Sequence, residues 1–113
     1  MKKDKEYYVY MIRCKDNSLY TGMTTDLDRR MKEHLERGKK GAKYTSSHYA
    51  IRMETAWRTN NKIKASKLEY YIKTLTKAQK EELIVNSKKL QKFLSEKIEC
   101  KDYINVKVED KNC

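Results

Sequence analysis

The pattern of hydrophobic and polar positions divides the chain into short strand-like runs and longer segments with helical spacing. Residues 7–13 read Tyr-Tyr-Val-Tyr-Met-Ile-Arg, an aromatic and β-branched run that is typical of a strand. A second run, residues 19–23, follows the turn-forming segment Asp-Asn-Ser, so the two runs predict an antiparallel hairpin. Residues 50–58 alternate apolar and polar side chains, which predicts a third strand.

Helical spacing appears between and after these strands. Thr25-Asp26-Leu27-Asp28 is typical of a helix start, and apolar residues every four positions predict a helix that ends near Gly38. A second helix begins near Asn60-Asn61 and carries an apolar stripe made of Ala65, Leu68, Ile72 and Leu75. The capping-box sequence Thr76-Lys77-Ala78-Gln79 predicts a third helix, which we expect to continue to about residue 95. Beyond it, alternation at positions 104, 106 and 108 indicates a short edge strand or a loose tail.

Charge adds a hypothesis about partners. The chain of 113 residues has 27 basic and 16 acidic side chains, so its net charge is +11. This excess suits a nucleic-acid partner, but it suits a lysine-rich solvated surface equally well. The densest basic patch surrounds two glycines and consists of Arg37, Lys39, Lys40 and Lys43. We expect these side chains to contact phosphates.

Several protein classes do not fit the composition. The sequence contains no apolar run of the roughly 18 residues that a membrane helix needs, and its charged start is unlike a secretory signal. The 3 cysteines are odd in number and show no zinc-ligand spacing. We therefore expect a protein of the reducing cytoplasm, with no membrane partner.

Five polar residues stand out as candidates for chemistry. They are Tyr10 and Tyr20 in the predicted hairpin, Arg30 and His34 one helical turn apart, and Glu69 at the border of an apolar face. Arginine can neutralise a phosphate, glutamate can hold a divalent cation, and tyrosine or histidine can move a proton. Each residue also has an ordinary interpretation; Glu69, for example, has the spacing to pair with Lys73 on the helix surface.

The order of these residues carries more information than any one of them. Tyr8-Val9-Tyr10 and Tyr20-Thr21-Gly22 resemble the paired motifs of the GIY-YIG nuclease superfamily. Arg30, His34 and Glu69 match the positions of its helix arginine, histidine and metal-binding glutamate. The resemblance covers about residues 6–85 and is strongest to the small bacterial branch related to the UvrC N-terminal domain.

The resemblance implies an α/β (α+β) fold in which a small three-stranded antiparallel sheet is flanked by helices, in the order β-β-α-β-α-α with a C-terminal extension. It implies a nuclease domain over residues 1–85 and leaves 86–113 without an assigned role. The implied activity is Mg²⁺- or Mn²⁺-dependent hydrolysis of DNA phosphodiesters, in DNA repair or recombination. Glu69 would hold the cation and Arg30 would offset charge on the phosphate.

The implied site leaves the proton acceptor open among Tyr10, Tyr20 and His34. It also makes a geometric demand, because side chains alternate between the two faces of a strand. A two-residue turn at Asp16-Asn17 would place Tyr10 and Tyr20 on opposite faces, whereas a three-residue loop, 16–18, would place them on one. We therefore predict a loop with an odd number of residues, or a bulge.

Two other functions are compatible with the same sequence. The chain could be a nucleic-acid-binding module without catalysis, using the basic patch together with Lys73 on the second helix. It could also be a structural protein that binds a partner through residues 86–113. A nuclease domain this small would also gain from a protein partner that directs it to its substrate.

Overall fold

A four-stranded antiparallel sheet forms from the aromatic and β-branched runs. The computed structural model of the chain describes residues 5–36 and 49–108. Within these residues the strands are β1 (Tyr7–Cys14), β2 (Leu19–Thr24), β3 (Ala50–Thr59) and β4 (Ile104–Val106), in the spatial order β2-β1-β3-β4. The predicted α/β class with a small antiparallel sheet flanked by helices is confirmed; the sheet has four strands where three were expected, because the short edge strand left open beyond residue 103 does form. The short β4 adds to the open edge of β3, where its backbone pairs with residues 56–58.

The β1–β2 hairpin closes with a loop of three residues. The backbone N–H of Cys14 donates to the carbonyl oxygen of Ser18 at 2.9 Å, so the loop is Lys15, Asp16 and Asn17. The odd loop is as predicted, although it lies one residue earlier than expected. Asn17 accounts for the difference because it holds a left-handed conformation, with φ of 71°, that asparagine tolerates well.

This loop sets the register of the two strands. Tyr10 pairs with Gly22, and Tyr20 pairs with Ile12. Residues directly opposite each other in an antiparallel pair share a face, and so do residues two apart on one strand. Tyr10 and Tyr20 therefore lie on the same face of the sheet.

Helices cover both faces of the sheet. On one face the helix α1 (Leu27–Leu35) places Met31 against Tyr10 and Ile12. It begins at Asp26, whose carboxylate accepts a hydrogen bond from the backbone N–H of Arg29 at 3.1 Å. On the other face the helix α2 (Lys62–Lys73) buries Ala65, Leu68 and Ile72 against the sheet.

The third predicted helix is divided into two. Helix α3 (Lys77–Val85) begins with the predicted capping box: Thr76 accepts from the backbone N–H of Gln79 at 3.1 Å, and the Gln79 side chain accepts from that of Thr76 at 3.0 Å. The extended backbone of Asn86 ends it, and a short helix α4 (Lys89–Leu94) follows. The helix expected to continue to about residue 95 is therefore interrupted after residue 85.

Residues 86–108 pack on the same core as the rest of the domain. The core cluster on the α2 face joins residues from both sides of position 85, among them Val9, Leu68, Leu90, Leu94 and Tyr103. The Tyr103 hydroxyl also donates to the backbone carbonyl of Lys64 at 2.8 Å. The domain boundary at residue 85 stays a prediction based on resemblance, because no break in packing marks it.

A partly buried ion cluster ties α3 to the sheet. The guanidinium of Arg13 donates to both carboxylate oxygens of Glu81, at 2.5 and 2.6 Å, and to Glu54 at 2.9 Å. These contacts join β1, β3 and α3, and the Arg13 guanidinium holds the pKa of Glu81 down at about 2. Because these contacts join three elements, they help to fix where α3 lies against the sheet.

No helix within residues 5–36 and 49–108 is long and apolar enough to span a lipid bilayer.

Candidate active site

Three of the five predicted site residues meet in a hydrogen-bonded chain between the sheet and α1. The Tyr10 hydroxyl lies 2.9 Å from Nε2 of His34, and Nε of Arg30 donates to the same hydroxyl at 3.3 Å. Tyr10 and His34 are fully buried, whereas the side chain of Arg30 is 23% exposed. This hydrogen-bonded chain therefore runs from the guanidinium of Arg30, which reaches solvent, into the core.

The direction of the protons in this chain follows from the donors available. Arg30 can only donate, so the Tyr10 oxygen accepts from it. The Tyr10 hydroxyl then donates its proton to Nε2 of His34. This hydrogen bond requires a neutral imidazole with an unprotonated Nε2. Burial, together with the nearby charge of Arg30, lowers the pKa of His34 to about 4, so the ring is neutral at physiological pH.

Tyr10 is poorly suited to act as a base. Burial raises the pKa of its hydroxyl well above the ordinary value, and Tyr20 and Glu69 push the pKa in the same direction. The hydrogen bond and positive charge of Arg30 lower it, but they do not overcome burial. Tyr10 therefore stays protonated and connects Arg30 with His34.

Tyr20 is the tyrosine of the pair that reaches solvent. Its ring lies 6.3 Å from the ring of Tyr10 and 5.3 Å from that of His34, measured between centroids. It is partly exposed, unlike the other two rings. Of the two predicted tyrosines, Tyr20 is thus the one that can contact both water and the buried chain.

Gly22 allows the two tyrosines to come this close. A Cβ atom at position 22 would lie 2.5 Å from the Tyr10 hydroxyl oxygen and 2.9 Å from Cε2 of Tyr20. Both distances are well inside van der Waals contact, so any other residue would displace one of the rings. The glycine of the second motif is thus required by close approach of side chains.

Glu33 is a residue that the sequence analysis did not select. Its carboxylate accepts from Arg30 at 2.8 Å and from Arg29 at 3.0 Å, and it is largely buried. Burial opposes the charge on Arg30, but the hydrogen bonds to Glu33 and Tyr10 leave the pKa of Arg30 above its ordinary value. The three-residue spacing of Glu33 from Arg30 was the signal that could have identified it.

Glu69 approaches the same group of residues from α2. Its carboxylate is 3.2 Å from the ammonium of Lys73, as the helical spacing indicated, and its side chain is 23% exposed. It is close enough to Tyr10 to contribute to the raised pKa of that hydroxyl. Tyr10, Tyr20, Arg30 and His34 therefore lie together, and Glu69 comes from α2, near enough for its charge to act on the Tyr10 hydroxyl.

The donors available suit a cation that takes most of its ligands from water and substrate. No group of three or more histidine, cysteine, aspartate or glutamate side chains gathers within the described residues. Mg²⁺ is commonly bound through only one or two carboxylates, with waters and phosphate oxygens completing its octahedron. A single partly exposed carboxylate, Glu69, fits that pattern, whereas a closed structural zinc site would need four protein ligands.

Of the lysines and arginines predicted to contact phosphate outside the five site residues, only Lys73 lies in the part of the chain that the structure describes. Lys73 lies on α2 beside Glu69. Arg37, Lys39, Lys40 and Lys43 lie outside the described residues, so their role stays a prediction.

Comparisons with known proteins agree with the motif pair. The profile of the GIY-YIG catalytic domain matches residues 6–82. The chain belongs to the GIY-YIG family, and the resemblance drawn from Tyr10, Tyr20, Arg30, His34 and Glu69 is confirmed at the level of the family.

Two curated relatives illustrate the match. The UPF0213 protein BH0048 of Halalkalibacterium halodurans is 45% identical over 78 residues, which are 69% of this chain and 81% of the relative. The UPF0213 protein YhbQ of Salmonella arizonae is 40% identical over 89 residues, or 79% of this chain and 87% of the relative. These names state neither a substrate nor an activity.

A solved structure also matches. It is the solution NMR structure of the UPF0213 protein BH0048 from Bacillus halodurans, with 44% identity and a TM-score of 0.46, covering 71% of this chain and 83% of that one.

The close approach at Gly22 leads to a prediction about stability. Gly22→Ala should lower the free energy of unfolding by about 1–3 kcal/mol, because the added methyl group displaces the ring of Tyr10. Urea unfolding monitored by circular dichroism measures the loss. Combining Gly22→Ala with Tyr10→Phe, which removes the nearest oxygen, should cost less than the sum of the two single changes. Strict additivity of the two costs would contradict the proposed clash.

The buried neutral His34 predicts a dependence of stability on pH. The unfolded chain takes up a proton near pH 6.5, but the folded chain does so only near pH 4. The unfolded state therefore binds more protons between these values, so stability is full above about pH 6.5 and falls as the pH drops toward 4. The expected loss is about 1–3 kcal/mol.

The control for this effect is His34→Gln, which keeps a polar side chain but cannot titrate. Its free energy of unfolding should fall less than that of the wild type between pH 6.5 and 4, in parallel denaturant titrations. Equal slopes for the two proteins would show that His34 is not the group responsible.

Proposed function

We propose that this protein is a metal-dependent endonuclease that hydrolyses DNA phosphodiester bonds, with a role in DNA repair or recombination. Membership of the GIY-YIG family supports nuclease chemistry in general. The single observation that supports it most for this protein is the hydrogen-bonded series from Arg30 through Tyr10 to His34. The ring of Tyr20 packs against this series, and the charge of Glu69 acts on Tyr10. This combines a cation, a proton-carrying group and a metal-type carboxylate in one place.

In this proposal each residue has a distinct task. Arg30, held by Glu33 and Tyr10, places positive charge where a phosphate would develop negative charge during the reaction. Glu69 would hold Mg²⁺ or Mn²⁺. When bound, the cation would polarise a phosphoryl oxygen and stabilise the leaving oxygen.

The attacking water would be oriented by Tyr20, which is partly exposed, and not by Tyr10. Tyr10 instead connects Arg30 and His34 through its hydroxyl and so fixes their relative positions. Because its hydroxyl donates to a neutral His34, the imidazole stays in one tautomer, and the positive charge of Arg30 stays directed outward. His34 is then a positioning residue in the resting state, since Tyr10 and the rest of the core separate it from solvent.

Glu69→Gln tests the function. We expect it to reduce Mg²⁺-dependent cleavage of branched or single-stranded DNA at least about 100-fold, because loss of one cation ligand removes several kcal/mol of charge stabilisation. DNA affinity should be retained. Glu82→Gln is the matched control, since it also removes a helix carboxylate from a lysine pair, with Lys89 at 2.7 Å.

The result discriminates among the candidate functions. Unchanged cleavage by Glu69→Gln would refute the metal role. A wild-type protein that binds DNA with a steep salt dependence and never cleaves it would instead be the non-catalytic binding module. A protein that neither binds nor cleaves would favour the structural role.

Tyr20→Phe tests the tyrosine assignment. Removing the hydroxyl should lower the cleavage rate by about 100-fold, the usual scale for a group that orients or deprotonates a nucleophile, while leaving DNA affinity unchanged. Single-turnover cleavage and fluorescence anisotropy measure the two quantities separately. Tyr70→Phe, at an exposed tyrosine of α2, is the control and should cleave normally. Full activity of Tyr20→Phe would exclude Tyr20 from the reaction.

A further inference from the structure

Three lysines meet at the corner where α2 turns into α3. Lys73 ends α2, and Lys77 and Lys80 lie on the first turns of α3. The corner is well ordered by its own hydrogen bonds: the backbone N–H of Leu75 donates to Ile72 at 3.0 Å, and the capping box closes the start of α3. The backbone that carries the three lysines is therefore well fixed, Lys77 and Lys80 are three residues apart on one helix, and the charges of Lys73 and Lys77 act on Lys80.

The carboxylates around this corner do not neutralise the positive charge of the three lysines. Glu69 pairs with Lys73 at 3.2 Å. Glu81 pairs with Lys77 at 3.1 Å, but the same carboxylate holds both terminal nitrogens of Arg13. No carboxylate among the described residues forms an ion pair with Lys80.

Lys80 is also the least solvated of the three. It is partly buried, whereas Lys73 and Lys77 are exposed. Burial lowers the pKa of its ammonium, and the positive charges of Lys73 and Lys77 lower it further. An anion placed between the three side chains would relieve this repulsion.

The corner adjoins the candidate active site through Lys73, whose partner is Glu69. An anion bound there would lie beside the proposed cation site, where the substrate strand must pass. If Glu69 is engaged by a cation, the ammonium of Lys73 is released to contact the same anion. The position thus favours a phosphate of the nucleic-acid backbone over an unrelated free anion.

We propose that Lys73, Lys77 and Lys80 form a binding site for a backbone phosphate of the nucleic-acid substrate, next to the phosphodiester that is cleaved. This inference rests on the proposed function, which supplies the substrate, and it adds two residues, Lys77 and Lys80, that neither the motifs nor the basic patch had indicated. Of the three lysines, Lys80 is the one without a carboxylate partner within the described residues, and it is also the one that is partly buried.

Lys80→Gln provides the test, with DNA binding measured by fluorescence anisotropy in EDTA so that cleavage plays no part. We expect affinity for a labelled oligonucleotide to fall by about fivefold or more at moderate salt, and the slope of log affinity against log salt to decrease by about one. Lys97→Gln is the matched control, because it removes the same charge from an exposed lysine after α4. Equal effects of the two changes would overturn the site.

Two further measurements separate this outcome from misfolding and from a free-anion site. Lys80→Gln should melt no earlier than the wild type, because it removes repulsion, and Lys80→Arg should retain most of the affinity. Inorganic phosphate should compete only weakly with the oligonucleotide. If inorganic phosphate binds the corner as tightly as the oligonucleotide does, the nucleic-acid assignment is overturned.

Failure here is distinguishable from failure of the nuclease proposal. Normal binding by Lys80→Gln, together with cleavage that depends on Glu69, would remove the lysine site and leave the nuclease. Loss of binding in Lys80→Gln, in a protein whose wild type binds DNA and never cleaves it, would keep the lysine site and remove the nuclease.

Discussion

Asn17 holds a left-handed backbone conformation, and this allows the β1–β2 hairpin to close with three residues. The whole candidate site depends on the register that results. A loop with one residue more or fewer would move Tyr20 to the other face of the sheet, away from Tyr10 and α1. Asp16 supports the same loop, because its carboxylate accepts from the backbone N–H of Ser18 at 3.0 Å. A local turn preference thus positions side chains that act together.

The site that this register creates is stabilised in an unusual way for a basic protein. Its centre is a buried pair of neutral groups, Tyr10 and His34, and the nearest cation, Arg30, is kept at the surface by Glu33. A charged histidine at this position would have to coexist with Arg30 in a region without water. Burial therefore selects the neutral imidazole, and the neutral imidazole in turn orients the tyrosine hydroxyl.

Some of this could be predicted from the sequence and some could not. The strands β1 to β3 and the capping box at Thr76 follow from local patterns, and membership of the family follows from motif spacing. The burial of His34 does not, because helical periodicity places it only at the border of the apolar stripe. The partnership of Arg13 with Glu81 joins residues 68 positions apart, and no local pattern reports such a contact. The fourth strand was ambiguous for the same reason, since three residues pair only because β3 offers them an edge.

The position of unpaired charge is more informative than the net charge of +11. Many of the cations in the described residues already pair with a carboxylate, among them Arg13, Arg29, Arg30, Arg52, Arg58, Lys64, Lys73, Lys77 and Lys89. Such pairs lower the field that an approaching phosphate would experience, so a count of lysines overstates the binding surface. Other described lysines also lack a carboxylate, but they are exposed, whereas Lys80 is partly buried and experiences the charges of Lys73 and Lys77. A nucleic-acid strand would gain by binding where the protein leaves such repulsion unrelieved, and Lys73 connects that corner with Glu69.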